Sequence, residues 1–227
     1  VSHGNWETGV INQGIHGLID RFQEASLILV DIPIGLREEG TSERLCDKEA
    51  RKVLGPKRGT SVFPVPCRNA AHASSPEQAK RINKELTGRS LSKQSLAILP
   101  KIREVDLLLR NSEDARTLVR EVHPEVCLWA LNGGRKRESA MTYSKKTQEG
   151  FVERLAVLRK IYGECEECVK EAPVKHKGKG VAKDDILDAL AAAVTARFEA
   201  GALKTLPESP ERDAVGLPME MVYWIAT

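Results

Sequence analysis

The chain has 227 residues, 41% of them hydrophobic and 30% charged, an ordinary globular composition with enough length to bury a sizeable core. No apolar run approaches the ~20 residues of a membrane span, no signal-peptide pattern stands at the start, and the five cysteines are scattered, which points to a reducing cytoplasm rather than a disulfide framework. A net charge of +3 is too weak to imply nucleic acid by itself, and no composition break divides the chain, so one domain over residues 1–227 is expected.

The opening residues are hard to place, although Trp6, Val10 and Ile11 fit a short strand. Apolar residues at 15, 18, 19 and 22 have helical spacing and predict a helix over 15–25. The rest of the chain is organised around SLILVDIPIGL at 26–36. Leu27 to Val30 read as a strand buried on both faces, and Pro33 ends its pairing. Asp31 stands at its C-terminal end, where open α/β sheets place their ligands. The plainer reading of Asp31 is a turn-forming acid that caps the loop.

Ser42 to Leu54 predicts a helix stopped by Gly55-Pro56. GTSVFPVP at 59–66 is extended because its prolines forbid helix, and a loop with Arg68 and His72 follows. Ser75-Pro76 open a helix that Gly88 closes. Residues 92–110 are helical in pattern with Pro100 inside, which predicts a kink or two helices. Leu118 to Val122 is a second strand with Glu121 near its end. His123-Pro124 begin a short helix to Leu131, which Asn132-Gly133-Gly134 break. A basic loop leads to a helix over 147–162. Cys165 and Cys168 form a lone CxxC, read as a surface helix turn rather than a zinc site. Lys175 to Lys183 is a flexible Lys/Gly connection, and 184–200 is the strongest helix. From Gly201 the tail reads as loop, with an edge strand at 219–225.

On the last helix, ~100° per residue sets Asp185 and Asp188 about 60° apart, beside the apolar stripe of Leu187, Leu190, Ala191, Val194 and Phe198. An acid at such a seam costs free energy unless it is paired or holds a cation. Asp184 is explained more simply as an N-cap or first-turn acid. Asp31, Glu121 and the Asp185/Asp188 pair thus come from three elements. Carboxylates that converge from separate elements repel unless a divalent cation joins them. Mg²⁺ or Mn²⁺ on oxygen ligands suits hydrolysis of a phosphodiester, with these four acids as ligands. Arg44, Lys101, Lys145 and Lys146 are candidate phosphate contacts, and nucleic acid the candidate partner. The plainer reading of each basic cluster is a solvated surface run. His123 is read either as a proton-transfer or metal group or as structural. Aromatic content of only 4% offers few stacking platforms for single strands.

DIPIGL at 31–36, RLCDKEAR at 44–51, SVFPVP at 61–66, PKIREVD at 100–106, EVHPEV at 121–126, KKT at 145–147, DDILDALAAA at 184–193 and GLPMEM at 216–221 occur in this order. Together they resemble the domain of unknown function 429 family, labelled a predicted nuclease with an RNase H-like fold. The resemblance covers nearly the whole chain. It implies an α/β domain with a mixed sheet flanked by helices and a metal-dependent nuclease or phosphodiesterase activity. DILDALAAA is also similar to the closing helix of Holliday-junction resolvases, where two acids at i, i+3 bind metal, and Asp185 and Asp188 have that spacing. Asp31 and Glu121 would take the acids beside the fourth and fifth strands. One departure stands out. Members of the family begin with a strand carrying Asp-Gly, followed by Gly-Trp, and nothing before Asp31 matches it. His3-Gly4-Asn5-Trp6 is no acid on a strand, and Asp20 lies in the predicted helix. Either the chain, which starts at Val1, lacks its natural N-terminus and first strand, or it has lost a ligand; in either case weak metal affinity and little or no hydrolysis are expected. The alternatives are a non-catalytic module that keeps the fold and binds nucleic acid or protein, and an enzyme acting on a small phosphate ester.

Overall fold

The computed structural model describes residues 6–134, 137–198 and 200–226. Trp6, Val10 and Ile11 lie in irregular chain, not in the strand expected there. Helix α1 (Gly14–Arg21) is shorter than its apolar pattern suggests. Its Ile15 N–H donates to the Glu104 carboxylate at 2.7 Å, an acid placed on a helix N-terminus. Strand β1 (Ile28–Val30) follows.

Helix α2 (Leu45–Arg58) is interrupted at the expected stop, where Gly55 takes the non-helical φ 67°, and a last helical stretch follows from Pro56. A turn at Gly59–Ser61 leads to α3 (Arg68–Ala71), one short helix in a stretch read as loop. In α4 (Pro76–Thr87) Ser75 caps Gln78 N–H and Gly88 closes in the left-handed conformation, as the sequence dictates. The chain around Pro100 forms two helices, α5 (Lys93–Ala97) and α6 (Leu99–Asn111). Pro100 sits in the first turn of α6, where its missing N–H costs nothing. Helix α7 (Glu113–Leu118), capped by Ser112, feeds strand β2 (Val119–Glu121). Helix α8 (Pro124–Leu131) is buried along its whole length. Helices α9 (Gln148–Ile161), α10 (Cys165–Lys175) and α11 (Lys183–Ala196) pack on it and on one another, sharing a core of Leu128, Leu158, Val169, Leu187 and Leu190.

The architecture is α/β with small sheets. β1 and β2 pair in parallel, Ile28 opposite Val119 and Val30 opposite Glu121, and Val122 N–H extends the ladder to Val30 O at 2.9 Å. In the tail, the edge strand expected at 219–225 is β4 (Pro218–Tyr223), and part of the stretch before it, read as loop, is β3 (Lys204–Arg212), antiparallel to β4 with an irregularity between Leu206 and Glu211. Both cysteines of the CxxC are buried against α9 and α11, a correction to the surface turn expected there.

Gly35 explains how the DIPIGL loop meets this hairpin. It adopts φ 76°, and a Cβ there would fall 2.7 Å from Met219 Cγ and 2.9 Å from the Pro218 carbonyl oxygen. Only glycine lets the chain after Asp31 lie this close to β4. Leu36 N–H then donates to the Asp213 carboxylate at 3.0 Å, fixing the loop's exit.

Candidate functional site

The parallel register decides which acids meet. Cross-strand partners share a face and successive residues alternate, so Glu121, opposite Val30, points away from the side that Asp31 takes one residue later. Glu121 is 3% exposed and turned to α2. Its two oxygens accept from Arg44 Nη1 and Nη2 at 2.8 Å each, and Oε2 also accepts from Ile34 N–H at 2.6 Å. Arg44 is buried too, and its remaining donors go to Asp47 at 3.0 and 2.6 Å and to Ile34 O at 2.9 Å. Glu121 is therefore not a partner of Asp31, and Arg44 holds a buried ion triad where the sequence suggests a phosphate contact. Burial pushes the Glu121 carboxyl up against the pull of Arg44.

The acid whose field reaches Asp31 is instead Asp188. The two carboxylates feel each other's charge, and Lys145 lies within the field of both. Lys145 Nζ donates to Asp188 Oδ2 at 2.5 Å and stands 3.7 Å from Asp184 Oδ2, while Lys146 Nζ donates to Asp184 Oδ2 at 2.6 Å. Asp184 and Asp188, four residues apart, share one face of α11. Asp185 does not belong to it. α11 begins at Lys183, so Asp185 reaches back as a cap and accepts from Ala182 N–H at 2.9 Å. The sequence reading had these two neighbouring acids in each other's roles.

The lysine pair is placed by the turn before α9. Ser144 O accepts from Thr147 N–H at 3.0 Å, and Thr147 Oγ1 accepts from Gly150 N–H at 3.1 Å as the helix cap. A Cβ on Gly150 would overlap the Ser144 carbonyl oxygen, so glycine is what lets this turn close onto the helix. One turn on, Arg154 is fully buried and donates to Tyr143 O at 3.1 Å, Gly150 O at 2.9 Å and Glu125 Oε1 at 2.5 Å. Glu125 on α8 lies in turn within the field of Asp188. Asp184, Glu125 and Arg154 are members of the site that sequence reasoning missed.

Asp31 is open to solvent, yet the protein around it desolvates its carboxyl and raises its pKa, against the pull of His123, Lys145 and Lys101. Asp188 is likewise raised, by burial first, with Asp31 and Glu125 adding repulsion that Lys145 opposes. Burial also lifts Asp184, but Lys146 and Lys145 overcome it and hold the carboxyl low. Beneath the acids, the thiol of Cys127 is pushed up to about 12 by burial and by both aspartates, which makes it inert as a nucleophile. His123 Nδ1, buried beside the cleft, has no hydrogen-bond partner. Lys101 on α6 is exposed and contributes positive potential to Asp31.

Among the described residues no group of three or more His, Cys, Asp or Glu side chains is arranged to hold a metal ion. Mg²⁺ does not need such a cage, since it is commonly held by one or two carboxylates with waters and substrate phosphate completing its shell. The buried Asp188 Oδ1, which has no hydrogen-bond partner, is an oxygen donor of the right kind beside Asp31. An oxygen of this kind suits a hard divalent cation, with Lys145 on the other oxygen of the same carboxylate. A family model described as "Protein of unknown function (DUF429)" matches residues 2–212. No curated protein and no solved structure matches the chain.

Proposed function

The chain belongs to the DUF429 family of proteins of unknown function, and from its geometry we propose that it is a divalent-cation-dependent phosphodiesterase, a nuclease on an RNase H-like domain, working at the cleft of Asp31 and Asp188. The observation that carries this reading is the meeting of two raised carboxylates, one after a buried strand and one on a packed helix, around the ammonium of Lys145. Acids kept in such an arrangement without full pairing cost stability, and sites of that kind cluster where chemistry is done.

Asp31 and Asp188 would hold Mg²⁺ or Mn²⁺. When bound, the ion supplies charge neutralisation of the phosphate and acidification of a water. Lys145 and Lys146, on a turn fixed by Gly150, orient a phosphate at the rim, and Lys101 adds positive potential from the α6 side. The free Nδ1 of His123 is suited to carry a proton next to Asp31. Glu125 and Arg154 position α8 and the lysine turn rather than touch substrate.

Cleavage of single-stranded, hybrid and branched oligonucleotides with Mn²⁺ tests the reading. Asp188→Asn is expected to abolish turnover, and Asp185→Asn, on the same helix, to leave it within a few-fold of the parent. Binding without cleavage by either protein would favour a non-catalytic module and end the hydrolase reading.

A further inference from the structure

We propose that the lysine-rich connection from α10 to α11, with the groove beside it, is the seat of a single-stranded nucleic acid, phosphates on the lysines and a base in the groove. The proposal rests on the phosphodiesterase reading for the identity of the polyanion.

Two independent features carry it. The first is charge. Residues 175–183 contain Lys175, Lys177, Lys179 and Lys183 and no acid, and all four lysines are exposed. Among the described residues the lysines engaged in ion pairs are Lys52, Lys145 and Lys146, so this run is unspent. Gly178 and Gly180, at φ 80° and 72° with open space around them, turn the backbone so that Lys177 and Lys179 stand into solvent. Four free ammonium groups in nine residues suit a phosphate backbone, whose charges recur along the strand. The run ends at Lys183, one residue before Asp184, and so leads to the acidic cleft.

The second feature is a groove of about 450 Å³ between α9, α10 and α11. Phe151, Leu155, Val169 and Ile186 give it apolar walls, and its charged lining is Lys170, Lys183 and Glu166, whose carboxylate is already paired with Arg159 at 3.0 Å. Apolar walls with cations at the edge match a nucleobase carried between phosphates, and Phe151 supplies an aromatic face. Lys183 belongs to both features, so a strand following the lysine run passes the mouth of the groove. A duplex keeps its bases stacked inside and cannot use it.

The test is fluorescence anisotropy of a labelled single-stranded oligonucleotide in EDTA, which removes metal and chemistry from the measurement. Lys177→Gln/Lys179→Gln/Lys183→Gln is expected to weaken binding about tenfold at low salt and to flatten the salt dependence by about 2 in log–log slope. An abasic oligonucleotide is expected to bind at least about fivefold more weakly than its base-bearing counterpart. Circular dichroism confirms that the variant is folded. Unchanged affinity in the triple variant, equal binding of abasic and base-bearing strands, or tighter binding of duplex overturns the proposal. Lysine-dependent binding with no Mn²⁺-dependent cleavage sinks the enzyme reading and leaves this surface standing. Cleavage that ignores the lysines does the reverse.

Discussion

Lys145 Nζ lies 2.5 Å from Asp188 Oδ2 and 3.7 Å from Asp184 Oδ2, so a side-chain cation already occupies the point to which the acids of the cleft turn. On the proposed function, a divalent ion at Asp188 Oδ1 would be repelled by Lys145 on the other oxygen of the same carboxylate. Replacing Lys145 by Met removes that repulsion. Mn²⁺ affinity by calorimetry should then rise at least about tenfold, since even at the dielectric of water a unit charge ~4 Å from a divalent ion costs about 2 kcal/mol. Lys146→Met, which frees only Asp184, should change it far less. Weaker Mn²⁺ binding by the Lys145 variant would mean that the lysine supports the ion instead of repelling it.

Asp31 sets a pH dependence of stability with a definite sign. Burial raises its folded pKa above the ordinary value of 3.8. Between those two values the folded chain holds a proton that the unfolded chain has lost, so stability falls as pH rises through the window and levels off above it. Asp31→Asn removes this loss. The variant should be more stable than the parent at neutral pH and equal to it below 3.8, as measured by urea unfolding. Equal stability at neutral pH would contradict the raised carboxyl.

Gly150 is a positional requirement of the lysine turn. Gly150→Ala drives a methyl group into Ser144 O and displaces Lys145 and Lys146 while leaving their charges in the molecule. Loss of ~1–3 kcal/mol in stability from the forced shift is expected. Activity should fall further than in a surface lysine variant of equal stability. A fully active Gly150→Ala protein would show that the turn does not position the site.

Arg44 belongs to stability. Arg44→Met leaves Asp47 and Glu121 buried without their cation, which should cost about 3–5 kcal/mol in urea unfolding. Arg44→Lys should recover little, because one ammonium cannot replace two bidentate contacts. Adding Glu121→Gln to Arg44→Met should restore part of the loss. A folded Arg44→Met protein with reduced affinity for oligonucleotide would return Arg44 to the phosphate-contact role.

The sequence carried the local signals well and the long-range ones poorly. Ser75-Pro76 with Gly88 bounded α4 because capping chemistry is written in adjacent residues. The apolar run before Asp31 marked β1 for the same reason. Glu121 went astray because its side of the sheet depends on a pairing register with β1, which no local pattern encodes. Asp184 and Asp185 exchanged roles because a one-residue shift in the start of α11 moves the cap and the buried face together. β4 was legible as an edge strand at 219–225, but β3 was not, since Lys204–Arg212 holds Pro207 and Pro210 and buries only Leu206, so its strand character comes from its partner. Arg154 could have been found, as an arginine inside the apolar face of a predicted helix.

The backbone after Asp31 leans on Pro218 and Met219 through the missing side chain of Gly35, and Leu36 is tied to Asp213. Residues of the DIPIGL loop therefore wait for β4, made much later in synthesis, before they can settle. A ribosome-bound chain that has not yet released β4 carries its acids on an unfinished floor. On the proposed function, the growing polypeptide stays inactive until β4 has been made and has docked under this loop.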